Sequence, residues 1–305
     1  MAQTGSAIEG IRPVAPSPSI LTSARPLPVP FETWRTGVSW AQFPTQQSIN
    51  WPRCNVKPGG GDWPTKDDPN DVGVADTDSF AFYTPVACAP IFSADQEARI
   101  VADATDLNTA QTAWAVARAM WLGEGYSDPD TPTLRNSAVN VTDSTVDTLQ
   151  QAFANLLHAY QDATGGLGGM VLHVPDELIT ASWNLRIVER EGNIYRGPNG
   201  SIVSPGPGYP HGVSSDGADG FGPYVNPGNH ASGFKGNLAT ECWVYVTGPV
   251  EYAATPERVL PEAEAERRGF YRLNEFEVWA EAMAIVRFDP ARVWACKCVN
   301  PAEPS

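Results

Sequence analysis

At 305 residues, 42% of them hydrophobic, the chain can bury one large core or two of ordinary size. Only 18% of residues are charged, while 28 prolines and 27 glycines point to many loops, arms and extended segments. The 20 basic and 35 acidic residues leave a formal charge of -15, whose field repels phosphate backbones and argues against sequence-specific nucleic-acid binding. No apolar run reaches the roughly 20 residues of a membrane helix, and the N-terminus has no charged head followed by an apolar stretch, so a soluble, unexported protein is expected.

In chain order, residues 1–30 are rich in proline, as in "RPVAPSPSILTSARPLPVP", and this excludes a helix or a central strand. The segment reads either as a disordered tail or as an arm laid against another surface. Residues 31–92 carry two strand-like runs, "FETWRTGVSWAQF" and "DSFAFYTPVACAP", around a tip rich in proline and glycine. They resemble a long hairpin whose aromatic side chains, Trp34, Trp40, Phe43, Phe80 and Phe82, need a partner surface.

Ser93 with Gln96 matches a capping box and Gly123 supplies a left-handed stop, so a helix on the order of 40 Å long is expected between them. Ile100, Ala104, Leu107, Gln111, Trp114, Ala117 and Trp121 recur on it at spacings of three and four. From Ala104 to Leu122 its charged residues are Asp106 and Arg118 alone, so protein must cover several of its faces.

A second helix is predicted from about Ser144 to Ala163, stopped by "TGGLGG". Met170–Val174 reads as a strand, a third helix starts at Pro175 and runs through Trp183 and Ile187, and "NIYRGPNGSIV" reads as a hairpin about Asn199-Gly200. Residues 204–240 form a long loop, "CWVYVTGPV" a strand, and Glu262–Arg268 a charged helical turn or a loop. "FEVWAEAMAIVRF" alternates through 276–288, with Phe276, Val278, Ala280, Ala282, Ala284, Val286 and Phe288 on one face. Asp289-Pro290 then turns the chain and "RVWACKCV" is expected to return antiparallel. Without a βα repeat, the class is α+β.

Sites of chemistry are sparse. Cys54, Cys88, Cys242, Cys296 and Cys298 read as reduced, mostly buried thiols, and in a strand the two sulfurs of "CKC" fall on one face, toward the core. No second ligand pair completes a zinc site. His158 in a helix and His173 in an apolar strand read as packed or edge-exposed rather than catalytic. The loop "DGADGFG", with Asp216, Asp219, His211 and His230, is the best remaining candidate, yet its spacing fits no calcium loop. Glu277, Glu281, Asp67 and Asp68 read as solvated charges. No catalytic, metal or cofactor residue is assigned, and the chain is read as not an enzyme.

The order of elements carries a resemblance: a proline-rich arm, an aromatic hairpin, a very long helix, a mixed domain with a glycine-rich loop, then a long strand near the end. It resembles the major capsid proteins of tailed bacteriophages with the Hong Kong 97-like fold. "FYTPVACAPIF", "AMWLGEG" and "CWVYVTGPV" are similar to stretches in structural proteins of phages infecting actinobacteria. The resemblance implies an N-terminal arm (1–30), an extended hairpin, the E-loop, with its return strand (31–92), a spine helix with part of the peripheral domain (93–141), an axial domain (142–250) and peripheral-domain strands with the C-terminus (251–305). It implies self-assembly through hexamers and pentamers into an icosahedral shell in the virion, formed in the host cytoplasm. The shell would enclose DNA without sequence-specific binding, with other capsid or decoration proteins as further partners. The expected assembly contacts are Trp34, Trp40, Phe43, Trp51, Trp63, Phe80, Phe82, Trp114 and Trp121.

Some members join a hairpin lysine to an asparagine. Lys57, Lys66 and Asn300 are the residues available for this, and a denaturing gel of particles showing only monomers would exclude such a link. Another virion component (minor capsid, head-tail connector or tail protein) and a soluble hydrolase using the 204–240 loop are the alternative readings.

Overall fold

The computed structural model describes residues 18–27, 37–41, 74–88, 94–143, 147–165, 169–206, 209, 241–256, 258–260 and 276–299. These fall into two compact units, the first within Ala81–Thr112 and Ala254–Met283, the second within Ser17–Phe80, Ala113–Ala253 and Ala284–Ser305.

The second unit begins with one helical turn, α1 (Ile20–Ser23), capped reciprocally by Ser19 and Thr22. A proline-rich segment was expected to hold no helix, and the turn falls in the proline-free run between Pro18 and Pro26. Strand β1 (Arg25–Pro26) then lies parallel to β11 (Glu251–Ala254), an edge position where the missing amide of Pro26 is tolerated. Strands β2 (Val38–Ala41) and β3 (Val74–Thr77) pair antiparallel, Val38 opposite Thr77 and Ala41 opposite Val74. The hairpin therefore closes on residues 74–77 instead of on "FAFYTPVAC"; alternation identified both runs as strands but carries no information about their partners.

The first unit is built on β4 (Phe80–Cys88), β12 (Arg258–Leu260) and β13 (Phe276–Arg287). Strand β13 pairs with β4 and, antiparallel, with β12, Val259 standing opposite Ala280. Val278, Ala280, Ala282, Ala284, Val286 and Phe288 are all buried, as their alternation requires. Helix α2 (Ala94–Leu122) lays Ile100 and Ala104 on Val278 and Ala280. The Thr84 hydroxyl on β4 lies 3.1 Å from both Asn108 Oδ1 and Gln111 Oε1, fixing the register of helix against strand.

The remainder of α2 belongs to the second unit. From Ala113 to Trp121 only Trp114 and Arg118 escape burial, which accounts for a helix nearly without charge. It stops at Gly123, whose φ of +79° is left-handed and whose amide closes on the Ala119 carbonyl at 2.8 Å. A short helix, α3 (Leu134–Ser137), follows with Thr133 and Asn136 as its capping box.

The core of this unit is a seven-stranded sheet in the order β5 (Val139–Asn140), β14 (Trp294–Val299), β10 (Glu241–Thr247), β6 (Val171–Pro175), β9 (Ile202–Gly206), β8 (Ile194–Arg196), β7 (Glu189–Glu191). Only β5–β14 and β6–β9 are parallel pairs. Strand β14 thus pairs with β10 rather than running back along β13. The 3-10 turn at Pro290–Arg292, capped by Asp289, redirects it into this sheet.

Helix α4 (Leu149–Thr164) covers one face, packing Leu149, Phe153, Leu156 and Tyr160 on Leu172, Val203, Val244, Val246, Cys296 and Cys298. It starts at the capping box of Thr148 and Gln151, later than the apolar periodicity indicated, because Asp147 is held as a bridge to β14. Gly165 ends it in the left-handed conformation (φ 63°). Helix α5 (Asp176–Asn184) stops before Ile187, and Asn199 (φ 57°) and Gly200 turn the β8–β9 hairpin where the sequence placed it.

Candidate functional site

Two buried polar centres stand out in the second unit. On β6, His173 is fully buried, its Nδ1 2.8 Å from the Tyr209 hydroxyl and its Nε2 2.9 Å from Thr247 Oγ1. The Thr247 hydroxyl donates its hydrogen to the Gly248 carbonyl (2.8 Å), so at His173 it accepts, and the ring carries its proton on Nε2. Nδ1 then accepts from Tyr209, whose oxygen accepts from the Ser204 hydroxyl at 3.1 Å. Every donor in this chain is used, and the imidazole must stay neutral. Burial lowers its pKa from 6.5 to about 3 and raises that of the Tyr209 phenol. The chain of hydrogen bonds ties β6 to Thr247 on β10 and, through Tyr209, to Ser204 on β9.

The second centre is Asp147, a carboxylate 3% exposed. Its Oδ2 accepts from the Asp143 amide (3.1 Å), Asn155 Nδ2 (3.0 Å) and the Cys296 thiol (3.2 Å). Its backbone joins β14 through the Lys297 carbonyl and the Val299 amide, at 3.0 and 2.8 Å. Burial first, and then the hydrogen bond to Asp147, push the Cys296 thiol up to about 12. That rules it out as a nucleophile. The arrangement ties the start of α4 to the last strand.

The expected contact aromatics separate sharply. Phe80 is 3% exposed, edge-on to Tyr126 at 5.6 Å, and Trp121 is fully buried between Tyr209 and Tyr245, at 4.8 and 4.6 Å. Both are core residues of their own unit. Phe82 is half-buried on β4, and Trp40 lies in β2 opposite Ala75. Trp114 is 46% exposed, with the Arg118 guanidinium 5.2 Å from its ring centre. Trp34, Phe43, Trp51 and Trp63 lie outside the described residues, as do His211, His230, Asp216, Asp219, Lys57, Lys66 and Asn300. Among the described residues no group of three or more His, Cys, Asp or Glu is arranged to hold a metal ion, and no helix is long and apolar enough to cross a membrane.

The exposed apolar surface includes side chains that periodicity did not single out. Trp183 and Leu185, at the end of α5, are 49% and 42% exposed, and Trp183 meets Tyr195 edge-on. Nearby, a groove of about 540 Å³ runs between α4 and residues 186–198, floored by Phe153, Leu157, Ile187 and Pro198 and edged by Arg186, Glu189 and Arg196. Arg196 is held by Glu191 at 2.9 Å, and Arg186 has a left-handed φ of 55°. An apolar floor with a charged edge has the composition of a contact surface.

No protein-family model matches the chain, and no curated protein does. Solved structures do. A chain of the capsid of a native GTA particle superposes with a TM-score of 0.53 at 14% identity, over 98% of this chain and 95% of that one. This is the capsid fold. The capsid of the empty GTA particle (13% identity, 98% and 95% covered) and a chain of Gordonia phage Cozz (11% identity, 95% and 89% covered) each give a TM-score of 0.49.

Within this capsid fold, the side chains that sequence reasoning missed are instructive. Tyr209 sits in a Gly-Tyr-Pro context that reads as a plain turn, and its role depends on His173, 36 residues away. Asp147 is hidden by a helical periodicity that runs through it. Trp183 was placed in a helix expected to run on through Ile187, and its exposure follows from the end of α5 at Asn184.

Proposed function

We propose that this chain is a structural subunit that assembles with copies of itself into the icosahedral shell of a virus-like particle, as a tailed-phage major capsid protein of the Hong Kong 97-like type does. The observation that carries the reading is the likeness of 98% of the chain to a capsid chain of a GTA particle, 95% of which is covered in turn. The polar centres, buried and fully engaged, support it, since they serve the fold and offer no catalysis. In this reading residues 1–30 are an arm, 31–92 an extended hairpin with its return strand, 93–141 the spine helix with part of the peripheral domain, 142–250 the axial domain, and 251–305 the peripheral-domain strands and C-terminus. Copies meet as hexamers and pentamers, with Trp114, Trp183 and Leu185 offering apolar contact and the net charge of -15 suited to enclosing DNA without gripping it.

Electron microscopy of the expressed full-length chain tests the proposal. Closed shells, or rings of five and six subunits, are the expected result. A monomer by light scattering at the highest reachable concentration, with no particles on the grid, would sink it.

A further inference from the structure

We propose that Cys242 and Cys298 are a site of reversible oxidation, a cross-strand disulfide that staples β14 to β10. The two residues are Cα partners in the antiparallel β10–β14 ladder, and both are fully buried reduced thiols in the core beneath α4.

Ladder parity identifies the kind of pair. On β14 the carbonyls of Val293, Ala295 and Lys297 and the amide of Val299 turn away from β10, toward β5, Val141 and Asp147. Successive residues of a strand turn their amide and carbonyl to opposite sides, so those of Cys298 face Cys242. The pair is therefore the hydrogen-bonded kind, whose Cα atoms stand about 5.5 Å apart. That separation lies inside the disulfide range, with a mode of about 5.5–6 Å. The Cβ atoms of such a pair stand near the upper end of about 4.5–5.5 Å, against about 3.8 Å in a disulfide. The two Cβ atoms must draw together by roughly 1.5 Å, and a bond under that strain is easily reduced. The link is thus a reversible one, unlike a permanent staple.

Cys296 is excluded as a partner. It lies two residues earlier on the same face, opposite Val244, and its thiol is committed to the Asp147 carboxylate. A diagonal neighbour in a ladder is about 7–8 Å away, beyond disulfide reach.

The oxidation balances with a two-electron acceptor such as a diazene. One thiolate adds to the N=N bond, the second displaces the nitrogen as the S–S bond forms, and the two protons and two electrons leave on the hydrazine. Because both sulfurs are buried, the reagent gains entry only when β14 frays from β10. The rate of oxidation therefore reports the opening of the last strand.

The full-length protein, as purified, is treated with diamide under native conditions, quenched in denaturant with N-ethylmaleimide, and mapped by mass spectrometry. The expected product is a peptide linking Cys242 to Cys298, absent in Cys242→Ser and lost after mild treatment of the native protein with a phosphine reductant, while Cys296 is alkylated throughout. Full alkylation of Cys242 and Cys298 after diamide overturns the proposal. So does a bridge to Cys296, or a 242–298 bridge that resists the reductant.

Discussion

Replacing His173 with glutamine should flatten the acid side of the stability curve. In the folded chain the imidazole is fully buried and neutral, with both nitrogens engaged, and its pKa is depressed from 6.5 to about 3. The unfolded chain binds a proton below its own pKa, while the native state refuses one until far lower. Stability from this group is therefore complete above pH 6.5 and is lost as pH falls toward 3. From an unfolded value of 6.5, the loss between pH 7 and pH 5 is about 2 kcal/mol, or a fall in Tm of about 3 °C for a chain of 305 residues. Glutamine can still donate to Thr247 and accept from Tyr209 but does not titrate. Any offset in the variant's starting Tm is constant with pH. Differential scanning fluorimetry from pH 7.5 to pH 5 on both proteins isolates the histidine, because the carboxylates are common to the two. Parallel curves would refute the reasoning, as would an NMR titration of His173 with a midpoint above pH 5.

Trp121→Ala should cost about 3–5 kcal/mol in urea denaturation, because the indole is enclosed by Tyr209 and Tyr245, whereas Trp114→Ala should cost less than about 1 kcal/mol and show instead as fewer assembled particles in sedimentation. Asp147→Ala should cost about 2–3 kcal/mol, read by the same denaturation, since the Asn155 amide and the Asp143 N–H lose their acceptor. Gly125→Ala should destabilise by about 1–2 kcal/mol, because φ is +90° there and a Cβ would stand 3.2 Å from that of Phe80; an unchanged Tm would count against the tight approach.

Much of the fold could be read from periodicity. The alternation of Val278 through Phe288 marked a buried strand face, and the nearly uncharged run through Val116 and Met120 marked a helix enclosed by protein. Gly123 and Gly165 marked helix ends because both positions require a left-handed residue. What stayed hidden was pairing. A strand's pattern says which side is buried but not which strand lies beside it, so β14 was assigned to β13 when it completes the ladder with β10. Two-residue strands such as β1 and β5 are too short to carry a period. The candidate surface was legible only in part. Apolar aromatic residues look alike in sequence, and only the structure separates enclosed Trp121 from exposed Trp114 and brings Trp183 beside Tyr195.

The two outer strands of the seven-stranded sheet have a consequence for crowding. β5 is two residues long, and β7 is the exposed run Glu189-Arg190-Glu191. A protein that accumulates in many copies within a cell is at risk of open-ended growth, one sheet templating the next. Neither rim offers enough bare backbone to begin it, and the alternating charges of β7 penalise an identical strand laid alongside in register. Association is thereby steered toward side-chain surfaces, whose geometry can close on itself and stop.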